Sequence, residues 1–509
     1  MIFSGLQTAA LLAAATTGYI AVRGIYLAYF HPLSKIPGPK HYAFTDIFHL
    51  YHHVRGTWHL VLKDLHDKYG PVVRYTPNDV STITPDAWRS VYGHKAQSSR
   101  IFRKDKIFYG ETFSKVDHVI TADYDDHRRM RRVLAHAFSE KALRGQEDVL
   151  KHYTDLFLAQ LTTRAAAGEP VNMVMWYNYA TFDLIGDLAF GKSFGNLETG
   201  KYNPWVSVIF DSVRLVPYMH VLQRHRWLGA LSSLIMPKRF VDSFADHARL
   251  SRETAMQRID SGNTEREDFM SYILRHNNDG SGKGLSEGEI AENATILITA
   301  GSETTATLLS GATFQLLANR DKYDALVREV RSTFASEDEI NMVSVGHLEY
   351  LTAVLSESFR MYPPVPIGLP RVTPEGGEVV DGYYLPAKTS ISVPQWSAYQ
   401  SALNFHKPQS FVPERWLADV TSPGSTSPFA NDKRDVMQPF SAGPRNCIGK
   451  NLANAEMRLI LTRLLYNFDL DFDQPADGTT TTTGWASDQK VFLLWDKGPL
   501  MVRLTPVRR

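Results

Sequence analysis

The chain has 509 residues, 43% hydrophobic and 21% charged, the composition of a folded globular protein with enough chain for a large core. Its 55 Lys plus Arg against 54 Asp plus Glu leave a formal net charge of +1, so no global charge points to nucleic acid or to an acidic partner. A single cysteine excludes an intrachain disulfide and a zinc site built from several cysteines, and fits a body held in a reducing compartment.

The first predicted element is an apolar helix. Met1 to Val22 carry no charged side chain, and Ile25, Leu27 and Ala28 continue the stretch past Arg23. About 20 apolar residues span a bilayer. A cleaved signal peptide would carry its basic residues ahead of the apolar run. Here Arg23, Lys35 and Lys40 follow it, which orients the globular part toward the cytosol. The expected layout is an anchor over 1–30, a proline-rich hinge over 31–40 carrying Pro37-Gly38-Pro39, and one domain over 41–509.

From there helical periodicity dominates, broken by β-branched runs near Pro71–Tyr75 and between Val379 and Val393. This predicts a mainly α domain with small sheets. His127-Arg128-Arg129-Met130-Arg131-Arg132 is a basic helical cluster in which His127 and Arg131 share a face. Asn277–Gly284 and Thr421–Asp432 read as surface loops, and the glycines around Lys283 lack the spacing of a phosphate loop. Thr479–Thr483 fits a strand edge or a loop.

Ser286 with Glu289 is a capping box, flanked by Leu285 and Ile290 as a staple, so a long apolar helix is expected to start there. It crosses Ala300-Gly301-Ser302-Glu303-Thr304-Thr305, a patch of weak helix formers. Gly301 lies one turn before Thr304, and the missing side chain is expected to leave room for a small ligand beside the Thr304 hydroxyl. Glu303 adds an ionisable group for proton delivery. Further on, Glu357 and Arg360 are three apart on one helix face and can pair.

The lone cysteine stands in Phe440-Ser441-Ala442-Gly443-Pro444-Arg445-Asn446-Cys447-Ile448-Gly449. Out of context, a single Cys is a small buried hydrophobe. Here Gly443 and Gly449 let the backbone turn tightly and approach a flat ring. Turn N–H groups, Arg445 and the N-terminus of a helix expected over Asn451–Leu465 all favour a thiolate. Arg445 can also pair with a cofactor carboxylate. One anionic sulfur suits an iron held otherwise by a porphyrin.

The Phe-x-x-Gly-x-Arg-x-Cys-x-Gly pattern resembles the haem-binding signature of the cytochrome P450 family. Three other patterns stand in that family's order. Ala300 to Thr305 resembles its oxygen-activation motif, Glu357-Ser358-Phe359-Arg360 its Glu-x-x-Arg pair, and Phe411-Val412-Pro413-Glu414-Arg415-Trp416 the stretch whose arginine joins that pair. With the anchor and hinge, the resemblance covers essentially the whole chain, in the style of fungal secondary-metabolism members.

The resemblance implies haem b, iron protoporphyrin IX, between a long distal helix and a proximal loop whose Cys447 is the axial iron ligand. It implies Arg131, Arg371 and Arg445 at the haem propionates and Phe440 and Gly449 in the cysteine loop. His127 stands where the family has Trp. Thr304 and Glu303 take the catalytic proton-delivery role, and Glu357, Arg360 and Arg415 form a folding network. Arg128, Arg129 and Arg132 are left to attract an acidic electron donor. Substrate contacts are implied between about Ser98 and Thr121, along Asn293–Thr304, around Val365–Leu369 and near Thr481–Trp485.

The implied enzyme is a monooxygenase that inserts one atom of O2 into a lipophilic small molecule, with a membrane and no nucleic acid among its partners. Electrons come from NADPH through cytochrome P450 reductase, with cytochrome b5 as a second donor, at the endoplasmic reticulum membrane with a single pass and a cytosolic domain. Two rivals are a haem-thiolate isomerase or dehydratase that needs no reductase, and a non-catalytic membrane haem-binding protein. Retention of Glu303 and Thr304 argues against the first, and Thr304 with the basic cluster argues against the second.

Overall fold

The computed structural model describes residues 5–110, 112, 114–231, 236–261, 268–277, 284–473, 484–487 and 489–508. The glycine-rich stretch 280–283 and Thr479–Thr483 lie outside the described residues. The chain opens with α1 (Gly5–Ile25). Gln7–Phe30 is long and apolar enough to cross a membrane, with mean hydropathy 1.4. Leu11, Leu12, Tyr19, Ile20 and Val22 on it are exposed, the reverse of a soluble core helix.

The proline segment that follows is docked on the body. Leu33 and Ile36 are buried with Val72, Val80 and Ile391. Arg74 donates from Nη1 to the Leu27 carbonyl at 2.8 Å and from its backbone N–H to that of Pro37 at 2.8 Å. Lys40 Nζ donates to the Ala28 carbonyl at 3.2 Å.

The strands that frame the site are β1 (Val72–Arg74), β2 (Asp79–Thr82), β3 (Arg103–Lys104), β4 (Val171–Asn172), β5 (Arg371–Val372), β6 (Ser390–Ser392), β7 (Phe468–Phe472) and β8 (Met501–Pro506). One sheet runs β1-β2-β6-β5-β3, with β2 and β6 parallel and its other pairs antiparallel. A second runs β4-β8-β7. In the first, Arg371 stands opposite Lys104 on one side and Ile391 on the other. The β-branched runs expected near residues 72 and 379–393 are thus strands, and the rest is mostly helix.

The helices that carry the site are α2 (Tyr124–Leu134), α3 (Met173–Phe190), α4 (Pro204–Arg224), α5 (Glu287–Ala318), α6 (Glu349–Met361) and α7 (Lys450–Asn467). α5 begins at the Ser286–Glu289 box, with both reciprocal bonds formed at 2.8 and 3.2 Å and with Leu285 and Ile290 buried. Its 32 residues span about 48 Å. The hydroxyls of Thr295, Ser302, Thr304 and Ser310 each bond the carbonyl four residues back, which lets polar residues sit inside a buried helix. One apolar core joins α3, α5, α6 and α7 through Leu184, Leu188, Leu308, Leu309, Val354 and Leu459.

Candidate active site

The cysteine loop is a tight turn closed by its own backbone. Cys447 N–H donates to the Phe440 carbonyl at 2.8 Å, and Asn446 N–H to that of Gly443 at 3.1 Å. Gly443 has φ +71°, and a Cβ there would stand 1.9 Å from the Tyr92 carbonyl oxygen, so only glycine fits. Gly449 caps α7, and its N–H points at the Cys447 sulfur.

Cys447 is exposed by accessible surface, yet burial pushes its thiol above the usual cysteine value. The Gly449 N–H, Arg131 and Lys450 pull the other way and do not win. The sequence led us to expect a lowered thiol. Desolvation outweighs the local dipoles and charges.

Around that loop gathers positive charge without carboxylate partners. Arg371 is buried on β5 and Arg445 stands in the turn before Cys447; in each, Nη1 has no hydrogen-bond partner. Arg445 Nη2 reaches the Ala122 carbonyl at 2.8 Å. Burial, reinforced by Arg371, brings Arg445 down to about 10. Lys104, opposite Arg371, is pushed well below the usual lysine value by burial and then by Arg371 and Arg445. Among the described residues, none of Lys104, Arg131, Arg371 and Arg445 makes an ion pair with a carboxylate. Buried charge left unpaired is strongly unfavourable. This cluster fits a cofactor that brings two carboxylates, and the cysteine fits its metal.

Arg131 sits on α2 and forks onto Asn446, with Nη1 to the backbone carbonyl and Nη2 to Oδ1, both at 2.5 Å. That places its charge beside the cysteine. His127, one turn earlier, is buried; burial first, then Arg445 and Arg131, holds its ring neutral with a pKa of about 3. Arg129 is not left free as the sequence suggested. It bonds Glu289 at 2.5 Å, Asp126 at 3.0 Å and the Gly284 carbonyl, fastening α2 to the start of α5. Arg128 and Arg132 are exposed.

On α5, Thr304 Oγ1 donates to the Ala300 carbonyl at 2.7 Å. Glu303 turns elsewhere. Its Oε1 pairs with Lys497 Nζ and accepts from Thr307, and its Oε2 is buried without a partner. Burial raises the Glu303 carboxyl, against the pull of Lys497. Glu303 and Lys497 line a cavity of about 210 Å3 with Asn178, Tyr202, Arg214 and Trp495. The structure therefore brings Glu303 to Lys497 rather than to the Thr304 hydroxyl.

The reading of Gly301 is corrected. A Cβ there would stand 2.8 Å from Ile185 Cδ1 and 3.0 Å from Cγ1, so the missing side chain is filled by α3 rather than left for a ligand. One turn further along α5, Thr305 bonds Glu456 of α7, whose carboxyl burial pushes up to about 8. Sequence reasoning missed Glu456, Lys497 and Lys104. The one available signal was a lone acid nine residues past the cysteine, on a helix with no other carboxylate.

The Glu357 network is complete and fully buried. Arg360 meets Glu357 at 2.7 and 2.9 Å, and Arg415 Nε reaches Glu357 Oε1 at 3.1 Å. Trp416 Nε1 and Val412 N–H each add a bond at 2.8 Å. Arg360 also bonds the carbonyls of Tyr399, Pro408 and Ser410. Burial alone would raise Glu357, but the two guanidinium groups hold it below the usual glutamate value. Asp432, expected on a surface loop, instead pairs with Arg415 inside the protein. Phe359, between Glu357 and Arg360 on α6, meets Phe440 edge-on at 5.2 Å, which links the network to the cysteine loop.

The chain was compared with known proteins. The family model described as Cytochrome P450 matches residues 36–494. Cytochrome P450 monooxygenase lcsI of Purpureocillium lilacinum is 42% identical over 498 residues, covering 96% of this chain and 93% of that protein. Cytochrome P450 monooxygenase astA of Talaromyces wortmannii is 42% identical over 495 residues, with 97% and 96% covered. The trichothecene C-4 hydroxylase of Trichoderma arundinaceum is 41% identical over 489 residues, with 95% and 94% covered.

Proposed function

The chain belongs to the cytochrome P450 family and is a haem-thiolate monooxygenase; from that premise we propose how its own residues divide the work. Cys447 would hold the haem iron through its thiolate. Arg371, Arg445 and Lys104 would hold its propionates, with Arg131 and neutral His127 beside them, and Phe440 and Gly449 shape the loop. Haem b, when bound, supplies an iron that activates O2, and thiolate ligation favours O–O cleavage. The observation that carries this reading is a set of cations without carboxylate partners, buried Arg371 and half-buried Lys104, Arg131 and Arg445, gathered around one cysteine.

Thr304 holds a proton at Oγ1, and Glu303, which turns to Lys497 rather than to that hydroxyl, takes up protons from the cavity it shares with Lys497. Glu357, Arg360 and Arg415 hold the loop in shape and touch no reacting atom. Electrons arrive from NADPH through a reductase at the face carrying Arg128 and Arg132, with cytochrome b5 as a second donor. Residues 1–30 anchor the enzyme in the endoplasmic reticulum membrane by a single pass, ahead of a joint over 31–40 and a cytosolic domain over 41–509. The substrate is a lipophilic secondary metabolite, the class to which the relative named as a trichothecene hydroxylase points.

Two measurements test the reading. The reduced, carbon-monoxide-bound protein should show the red-shifted Soret band of thiolate ligation, and Cys447→Ala should lose it. Turnover should consume NADPH and O2 together; product formation without either would point to an isomerase.

A further inference from the structure

Three histidines that the proposed chemistry does not use meet at one small cavity. His49 and His53 lie one turn apart on the helix Ile47–Arg55, and His220 comes from the end of α4. Their ring centroids are 5.3 to 5.7 Å apart. Each residue is 5% exposed or less. Trp58, Tyr75 and Phe108 supply apolar walls, and the free space is about 30 Å3.

Four ring nitrogens there have no hydrogen-bond partner: Nδ1 of His49, both nitrogens of His53, and Nδ1 of His220. Buried polar atoms in native proteins are nearly always partnered. The charged neighbours are already occupied. Arg224 lies between Asp46 at 2.7 Å and Asp79 at 2.5 Å. Asp105 accepts from Ser390 Oγ at 2.7 Å and from the Ile107 N–H at 2.9 Å. Burial holds the imidazoles neutral, His53 at about 4. A neutral imidazole offers one donor and one acceptor. The unmet demand is for a neutral group that both gives and takes hydrogen bonds, and the space fits a group of one or two heavy atoms.

The placement fits a substrate. Phe108 and the Ile367-Gly368 step line the cavity, and both lie in segments expected to touch substrate. The opposite face of the histidine helix exposes Ile47, Phe48 and Tyr51, so the cavity lies beneath an apolar surface near the N-terminal span. We propose that this histidine cavity recognises the neutral oxygenated end, a hydroxyl or a carbonyl, of an otherwise apolar substrate. The proposal rests on the monooxygenase reading above.

The test titrates the full-length, haem-loaded enzyme with 1-octanol, octane and octanoate. Binding is followed by tryptophan fluorescence, which needs no haem signal, and by the Soret spin-state shift. Octanol should bind about fivefold to tenfold more tightly than octane, and octanoate should show no such gain. His53→Leu should erase the preference, and His53→Gln, which keeps a donor and an acceptor, should retain part of it. Equal affinity for octanol and octane overturns the proposal. So does a preference that survives His53→Leu, which would mean that the cavity holds water only. If His53→Leu does not fold, His220→Leu is read by the same criterion. A wild-type protein without the thiolate carbon-monoxide band strikes the haem-thiolate reading instead, and the fluorescence titration still decides this one.

Discussion

Asp432 lies against Arg415 inside the protein, its Oδ2 accepting from Nη1, with neither side chain more than 2% exposed. With Glu357 and Arg360 this makes a buried quartet of two carboxylates and two guanidinium groups. Asp432→Asn keeps the volume and leaves one buried positive charge uncompensated. The expected cost is about 3–5 kcal/mol. The checks are a lower unfolding midpoint and a lower ratio of Soret to protein absorbance, because the same network borders the cysteine loop.

The quartet also gives an acid-side signature. The Glu357 carboxyl is depressed in the folded protein. A depressed carboxyl contributes stability that is full above its unfolded value, ordinarily 4.5, and is lost as pH falls through the lower folded value. Denaturation midpoints measured from neutral pH down to about pH 3 should fall along this limb in the native chain. Glu357→Gln should be less stable at neutral pH and show a flatter acid limb.

Gly301 should reveal its partner by a double substitution. Gly301→Ala drives a methyl into Ile185 and should cost about 1–3 kcal/mol. Ile185→Ala alone should cost about 2–5 kcal/mol. Gly301→Ala added to Ile185→Ala should cost nothing further, because the opposing atoms are gone and alanine is the better helix former. Denaturant unfolding of the four proteins measures the coupling; simple additivity would refute the contact.

Lys497→Met should separate proton supply from haem binding. Without its ammonium partner, the Glu303 carboxyl, already raised by burial, rises further. The ratio of product formed to oxygen consumed should then shift its pH dependence toward higher pH, with the carbon-monoxide band unchanged. An unmoved profile counts against Glu303 as a proton carrier.

Gly443→Ala is expected to lose haem outright. The added methyl meets the Tyr92 carbonyl and the backbone there has positive φ, so neither a rotamer change nor a small shift relieves it. The Soret absorbance of the purified protein reads the result.

What could be read in advance was what depends on neighbours in the chain. The capping box at Ser286 and Glu289, the turn around Cys447 and the pairing of Glu357 with Arg360 are set within a few residues, and all three form. What escaped depends on contacts across the fold. Asp432 stands in a Gly-, Ser- and Pro-rich stretch whose composition says loop and cannot say that its end is buried under Arg415. Lys497 reaches Glu303 from 194 residues away. Gly301 looked like space for a ligand because no sequence pattern names the helix that packs there. The thiol was expected lowered because local dipoles are legible, whereas desolvation is a property of the whole interior.

The joint between α1 and the body carries a practical consequence. Arg74 and Lys40 hold the carbonyls of Leu27 and Ala28, so the last turn of the apolar stretch belongs mechanically to the sheet beneath it. A shortened protein that starts at residue 40 would strip Arg74 of the acceptors it finds at Leu27 and Pro37, and would uncover Val72 and Ile391. The place to cut is upstream, near Arg23, where the helix side chains are exposed.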